Sequence, residues 1–336
     1  VSIATASRAL AGKSRVSPET AKLVGDVARR LGYRVDHIAR AMRAGTTRTV
    51  GMVVPLISNP MFAELIDVVE AELQQHGFEL ILADSHADVT QEARRLDTLV
   101  ERRVDGILIV SQDHKLSTAA ISRTMANVPV IQLDRALTRL DADFVGVDND
   151  NGMAAIVDHL AELGVSSIAL VSANDLNSSG QARRRAFERL TAGRFKVHEP
   201  VLDSFDVETG RRASAELVAR GVLPDALVAG CDLIALGLIA GLREAGVRVP
   251  SDVLVAGFDG IQLTELFDPP LTTVRQPLAA IARDAVSFLI DRLTDPAAAS
   301  RDNRIRPELV VRESTLGASP RSRRQPVRAT PSAHAV

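Results

Sequence analysis

Two apolar runs of the chain each end in an acid: DALVAGCD closes on Asp232 and DVLVAGFD on Asp259. A third, PVIQLDR, reaches Asp134, and Arg183 stands early in the helical stretch GQARRRAFERL, shortly after Ser179. Carboxylates and a guanidinium at strand ends form charge-assisted hydrogen bonds, which suit vicinal hydroxyls or a purine edge. Gln276, in LTTVRQP, adds an amide. Phe62 and Phe205 stand out in a chain with only 3% aromatic residues, and an aromatic face is a usual wall against a sugar ring or base. The candidate pocket is therefore Phe62, Asp134, Ser179, Arg183, Phe205, Asp232, Asp259 and Gln276. The adjacent Arg184 and Arg185 read as solvated, and Phe187 as core.

Signals for covalent or metal chemistry are missing. The chain has no G-x-S-x-G, P-loop, H-E-x-x-H or dinucleotide glycine fingerprint. Its seven histidines are scattered, and its one cysteine, Cys231, ends an apolar strand, where a packed thiol is the ordinary reading. No catalytic residue, metal or cofactor is expected.

The elements that must position these residues follow a regular rhythm after Thr49. TVGMVVP, ELILADS, DGILIVS, PVIQLDR and FVGVDN read as buried strands, separated by helices such as MFAELIDVVEAELQQHG and QEARRLDTLVERR. SIALVSA, DALVAGCD and DVLVAGFD continue the alternation. Alternating strand and helix predicts an α/β fold with parallel sheets covered on both faces. The run is too long for one sheet, so two similar lobes with a cleft between them are expected. Ligands bind at the carboxyl ends of strands in such sheets, which makes the cleft the default site.

Residues 1–48 are different. Ser2 is placed to cap a short helix with Ile3, Ala6 and Leu10 on one stripe, ended by Gly12. Ser17-Pro18-Glu19 starts a second helix, with Ala21, Val24, Val27, Ala28 and Leu31 on one face and Gly32 after it. A third helical segment carries Ile38, Ala39 and Met42 beside Arg40 and Arg43, ending at Gly45. This head holds ten Lys/Arg against three acids, while the net charge of the whole chain is -2. A basic head on an acidic body suits a polyanionic partner. The last 18 residues carry four Arg and no acid and read as a disordered tail.

SIATASRALAG, RVSPETAKLVGDVARRLGY and HIARAMRAGTTRTVG, in that order, resemble the head of the lactose/galactose/purine repressor (LacI/GalR) family, from the recognition helix through the hinge helix. ISNPMFAEL, VDGILI, IQLDRA, PDALVAGCDLIALG, VPSDVLVAGFDG and LTTVRQP resemble its effector-binding core, which is similar to the periplasmic sugar-binding proteins. The resemblance implies a partial helix-turn-helix head over 1–35, lacking the motif's first helix, a hinge helix and linker over 36–48, a two-lobed core over 49–318 and a tail over 319–336. It implies that Ile3, Ala4 and Arg8 read base edges in a major groove, with Arg8 bidentate to guanine. Thr5 and Ser7 match positions that support phosphate contacts. Ala39, Met42 and Arg43 match the minor-groove hinge, with Met42 in place of the usual leucine wedge. Ala11 departs from the common asparagine. Arg183 and Asp259 match the positions that hold the effector.

The function so implied is a sequence-specific DNA-binding regulator, a repressor controlled by a sugar or sugar derivative in the cleft. Its partners are a palindromic double-stranded operator and a second copy of the chain, meeting through the lobe that carries the apolar stripe Phe62, Leu65, Ile66, Val69 and Leu73. The tail lacks heptads for a tetramerising coil. No membrane span is expected and the start is polar, so the expected location is the cytoplasm. The rival reading is a stand-alone sugar-binding protein without DNA binding. That reading has no use for the RVSPET helix or the HIARAMRAG segment.

Overall fold

The computed structural model describes residues 1–10, 16–31, 46–137, 140–174, 177–221 and 223–316. The chain divides into two compact units, Val1–Thr49 and Val50–Val336.

In the first unit, α1 (Ile3–Leu10) begins where the Ser2 hydroxyl accepts the Thr5 N–H at 3.1 Å. Helix α2 (Pro18–Arg30) begins at Ser17, whose hydroxyl accepts the Thr20 N–H at 3.3 Å. Pro18 supplies the fixed φ of a first turn, and Glu19 and Arg29–Arg30 complement the helix dipole at either end. The segment read as a hinge, with Ala39, Met42 and Arg43, lies outside the described residues, as does the tail.

In the second unit, elements alternate as β1 (Thr49–Val54), α3 (Pro60–Gln75), β2 (Glu79–Asp84), α4 (Val89–Glu101), β3 (Gly106–Ile109), α5 (Thr118–Met125), β4 (Val130–Leu133) and β5 (Phe144–Val147). Then come α6 (Asn149–Glu162), β6 (Ser167–Ala173), α7 (Ser178–Thr191), β7 (Lys196–Val197), β8 (Val201–Asp203), α8 (Val207–Ala219), β9 (Ala226–Ala229), α9 (Asp232–Glu244) and β10 (Leu254–Asp259). A 3-10 turn (Gln262–Leu266), β11 (Thr272–Arg275), α10 (Leu278–Thr294), β12 (Asp302–Ile305) and β13 (Glu308–Val310) complete it. The strands form a six-stranded sheet, ordered β12-β5-β4-β3-β1-β2, and a seven-stranded sheet, ordered β13-β11-β10-β9-β6-β7 with β8 also on β6. β13 runs antiparallel to β11, whereas β12 runs parallel to β5.

Each sheet has an apolar layer on both faces. In the first lobe, Phe62, Leu65, Val69 and Leu73 of α3 join Ile281, Ala285, Val286 and Leu289 of α10 on one face. Leu96 and Leu99 of α4 join Ile121 of α5 on the other. In the second lobe, Ile156, Leu160 and Phe187 cover one face and Ile234, Leu238 and Leu242 the other. Full burial of each large apolar side chain contributes about 1.5–3 kcal/mol. Buried continuous strands such as β1, β3 and β4 show why their sequences read as unbroken apolar runs.

The lobes are interlaced, which the sequence reading did not anticipate. The chain passes between them at Asp148–Asn149, again at Gln276–Pro277, and a third time between β12 and β13. Helix α10 and β12 thus belong to the first lobe although the whole middle of the second lobe precedes them.

Candidate functional site

The cleft side of the second lobe is organised around Arg183 in α7, which is 2% exposed. Asn177 caps this helix by accepting the Gly180 N–H at 2.7 Å, and so fixes where its first turns point. Arg183 Nε donates to Asn149 Oδ1 at 2.8 Å. Its Nη1 donates to the Gly230 carbonyl at 2.7 Å and to Asp259 Oδ1 at 3.1 Å. The guanidinium lies 3.8 Å from the Phe258 ring centroid and 5.9 Å from that of Phe205, within cation–π range. Gln276 Nε2 also donates to Asp259 Oδ1, at 2.9 Å. Asn149 and Gln276 therefore carry the first two crossings between lobes directly into the charged cluster.

Asp259 ends β10 with φ at 119°, a backbone region that disfavours a side chain and clusters at functional sites. Burial pushes its carboxyl up to about 6, with the charge of Asp134 adding to the rise and Arg183 and Gln276 opposing it. Asp232 is placed differently from the expectation of a pocket contact. It is fully buried at the start of α9, where Oδ2 accepts the Ile261 N–H at 2.9 Å and Oδ1 accepts the Thr273 hydroxyl at 2.5 Å. Both oxygens thus brace the segment that follows β10. Burial, then the charge of Asp259, raises its pKa well above the carboxylate range.

The facing side, in the first lobe, carries Asp134 and Arg135 just past β4. Asp134 sits at φ 56°, and its carbonyl accepts the Ser179 hydroxyl from the other lobe at 2.8 Å. Two further contacts join the lobes: His114 Nε2 and Gln181 Nε2 at 3.2 Å, and the Gln262 N–H to Glu64 Oε1 at 2.9 Å. Arg135 Nη1 donates to the Ser111 carbonyl at 3.1 Å. Its guanidinium lies 5.6 Å from the Phe62 ring centroid. Phe62 is 2% exposed and packs in the first-lobe core, so it supports Arg135 more than it lines an open wall. Phe205 is half-buried beside Arg183.

The structure thus gathers Asp134, Ser179, Arg183, Phe205, Asp259 and Gln276 around one cleft. It adds Asn149, Arg135 and the Gly230 carbonyl, which sequence reasoning missed. Arg135 directly follows a predicted strand-end acid, and that adjacency was the available signal. Glu92 of α4 is a further buried carboxylate on this side, accepting the Gln112 N–H at 2.6 Å. Burial raises its pKa, with a Ser117 hydrogen bond as the main opposing effect.

In the head, α1 presents Ala4 and Arg8 exposed and Thr5 half-buried. The Thr5 hydroxyl lies 2.9 Å from that of Ser2, so it takes part in the cap. The side chains of Ile3 and Ser7 lie outside the described set.

Residues 157–315 match the model of the periplasmic binding protein-like domain. A helix-turn-helix-type transcriptional repressor, PurR, of Vibrio cholerae is 30% identical over 317 residues, 94% of either chain. PurR of Mannheimia succiniciproducens is 30% identical over 94% of this chain and 95% of its own. Among solved structures, the lac repressor dimer bound to operator and the anti-inducer ONPF superposes with a TM-score of 0.85 at 21% identity, over 94% of this chain and 96% of that one. The regulator CelR in complex with cellobiose gives 0.72 at 27% identity, over 94% and 96%. A regulator from Enterococcus faecalis with bound ribose gives 0.72 at 30% identity, over 80% and 98%. The two interlaced α/β lobes, the charged cleft between them and this extent of identity with named repressors lead to one assignment: the chain belongs to the LacI/GalR family of ligand-responsive, DNA-binding transcriptional regulators.

Proposed function

We propose that the protein is a repressor that binds a palindromic operator as a homodimer and changes its DNA affinity when a sugar or sugar derivative occupies the cleft. The observation that carries this reading is the Arg183–Asp259–Gln276–Asn149 network. It is buried, charged and built on two of the strand crossings between lobes. A ligand that hydrogen-bonds to these groups interacts differently with separated and apposed lobes, and that difference is the coupling free energy regulation needs. The sugars bound by CelR and by the Enterococcus faecalis regulator support the ligand class. In the head, Arg8 is assigned the base contact, with Ile3 and Ala4 beside it and Thr5 and Ser7 toward the phosphates. Ala39, Met42 and Arg43 are assigned to the minor groove.

The test separates the two ends of the molecule. Operator binding by fluorescence anisotropy and ligand binding by calorimetry are measured on the full-length protein as its own cell makes it. Arg8→Ala weakens operator binding by about 1–3 kcal/mol, concentrated at one base pair, and leaves ligand binding intact. Asp259→Ala abolishes the ligand response and leaves basal operator binding intact. Operator affinity that ignores every cleft ligand refutes the reading.

A further inference from the structure

We propose that the effector is an acidic polyhydroxylated compound, a sugar acid or a sugar phosphate, whose carboxylate or phosphate is held by Arg135. This rests on the cleft being the effector site, and it adds a specificity-determining residue that the Arg183–Asp259 pair does not supply.

The argument begins with how the two cleft guanidinium groups are used. Arg183 donates through Nε and Nη1 to Asn149, Gly230 and Asp259. Arg135 is 7% exposed, yet among the described residues the one hydrogen bond of its guanidinium runs from Nη1 to the Ser111 carbonyl. Its Nε is buried with no hydrogen-bond partner. Asp134 approaches that nitrogen only to 3.7 Å, an ion pair without a hydrogen bond. With Nη1 anchored and the Phe62 ring supporting the group, the Nε–Nη2 edge of the fork is left over. That edge presents two parallel donors, the geometry that a carboxylate or phosphate accepts bidentately. A buried donor without a partner is rare in proteins and calls for a partner that the chain itself does not supply.

The surrounding charges agree. Burial weakens the hold of Arg135 on its proton, and the positive charge of Arg183 from the opposite lobe acts in the same direction, against Asp134, Glu92 and Asp259. Two arginines from opposite lobes therefore share one region, but Arg183 is paired with Asp259 at 3.1 Å, whereas the carboxylate beside Arg135 stands off at 3.7 Å. A neutral hydroxyl satisfies one donor of the fork, whereas a carboxylate or phosphate satisfies both.

The remaining chemistry of the ligand follows from Asp134. Its Oδ1 is buried without a partner, next to the open fork. An acceptor beside an anion site calls for a hydroxyl donor adjacent to the acidic group. The ligand thus carries its acid next to a hydroxyl, with further hydroxyls for Asp259.

The test is calorimetric titration of the full-length protein with matched series: glucose, glucuronate and glucose 6-phosphate, and the galactose equivalents. The expected result is that in at least one series an acidic member binds about tenfold or more tightly than its neutral parent. The two acidic arms distinguish carboxylate from phosphate. Arg135→Met, which keeps the stem and removes the fork, abolishes the preference, and Arg135→Lys, which keeps the charge without the fork, retains part of it. A thermal melt of each variant confirms that the fold persists. Equal affinity for neutral and acidic members, no binding in any series, or a preference that survives in Arg135→Met overturns the proposal. Operator anisotropy in the same samples separates the two readings. A neutral sugar that shifts DNA affinity keeps the regulator and refutes the acid. An acid that binds through Arg135 without altering DNA affinity does the opposite.

Discussion

Arg183 and Arg135 are both buried, both lie against phenylalanine rings and stand on opposite walls of one cleft, but their surroundings differ in kind. Arg183 is held by a side-chain amide, a carbonyl and a carboxylate that come from three separate parts of the chain. Arg135 is held by one carbonyl. The first arrangement is a finished network that fixes the second lobe's wall. The second is a group kept in place with half of its bonding capacity open. Burial alone therefore does not tell how much of a cleft arginine's bonding the protein already takes up; the hydrogen-bond inventory does.

The largest expected effect tests that contrast directly. Arg183→Met removes the Arg183 donors from Asn149 and Gly230 and leaves the Asp259 carboxylate with Gln276 but without its ion-pair partner, and removing one partner of a buried pair destabilises by about 3–5 kcal/mol. Arg135→Met costs less, about 1.5–3 kcal/mol, because it breaks one charge-assisted hydrogen bond to a carbonyl and an ion pair that carries no hydrogen bond. Urea unfolding of both variants measures the gap. Equal losses would show that the two walls are alike.

A smaller effect comes from protonation. The folded protein holds a proton on Asp259 up to about pH 6, whereas the unfolded chain releases it at the ordinary carboxylate range. Between those values the native state binds more protons, so the Asp259 contribution to unfolding free energy falls as pH rises from about 4 to about 6, a total of about 3 kcal/mol, and the raised carboxyls of Asp232 and Glu92 add to the decline. Asp259→Asn removes the Asp259 share of that slope. Ligand hydroxyls that donate to Asp259 favour its ionised form, so binding near pH 6 releases a proton and affinity declines below that pH. Calorimetry in two buffers of different ionisation enthalpy detects the proton. A stability slope left unchanged by Asp259→Asn would assign the titration to another group.

The smallest effect concerns the two remaining acids. Asp134→Asn alters an oxygen without a partner and changes stability by less than about 1 kcal/mol. Asp232→Asn disturbs both bonds that brace the segment after β10 and costs about 1–3 kcal/mol. Reversal of that order would mean that Asp134 is the structural residue and Asp232 the recognition residue.

Much of the cleft was legible in the sequence because parallel strands end where ligands bind. Asp134, Asp232 and Asp259 could be placed at strand ends from apolar runs alone, and Arg183 from the helix that follows. What strand periodicity cannot show is which polar atoms are already engaged. Asp232 and Asp259 end nearly identical strings, yet one has both oxygens bonded to nearby backbone and hydroxyl groups and the other meets a guanidinium. Phe62 read as a wall because aromatics are scarce, but its helix turns it into the core. Asn149 was missed because its partner is 34 residues away, and nothing local distinguishes it within DNDN. The interlacing of the lobes was hidden for a similar reason. Strand β12 alternates exposed and half-buried residues and is rich in charge, so it resembles a loop until β5 is placed beside it.

That interlacing has a consequence for how the protein is made. The first lobe lacks the Ile281, Ala285, Val286 and Leu289 face of α10 and its edge strand β12 until about nine-tenths of the chain has left the ribosome. Its β1–β5 sheet therefore waits through synthesis of the whole middle of the second lobe with one apolar face covered by α3 alone. Contacts so distant in sequence slow folding and leave a nascent chain open to association. For this architecture the last forty residues of the core decide when its first third becomes a finished domain.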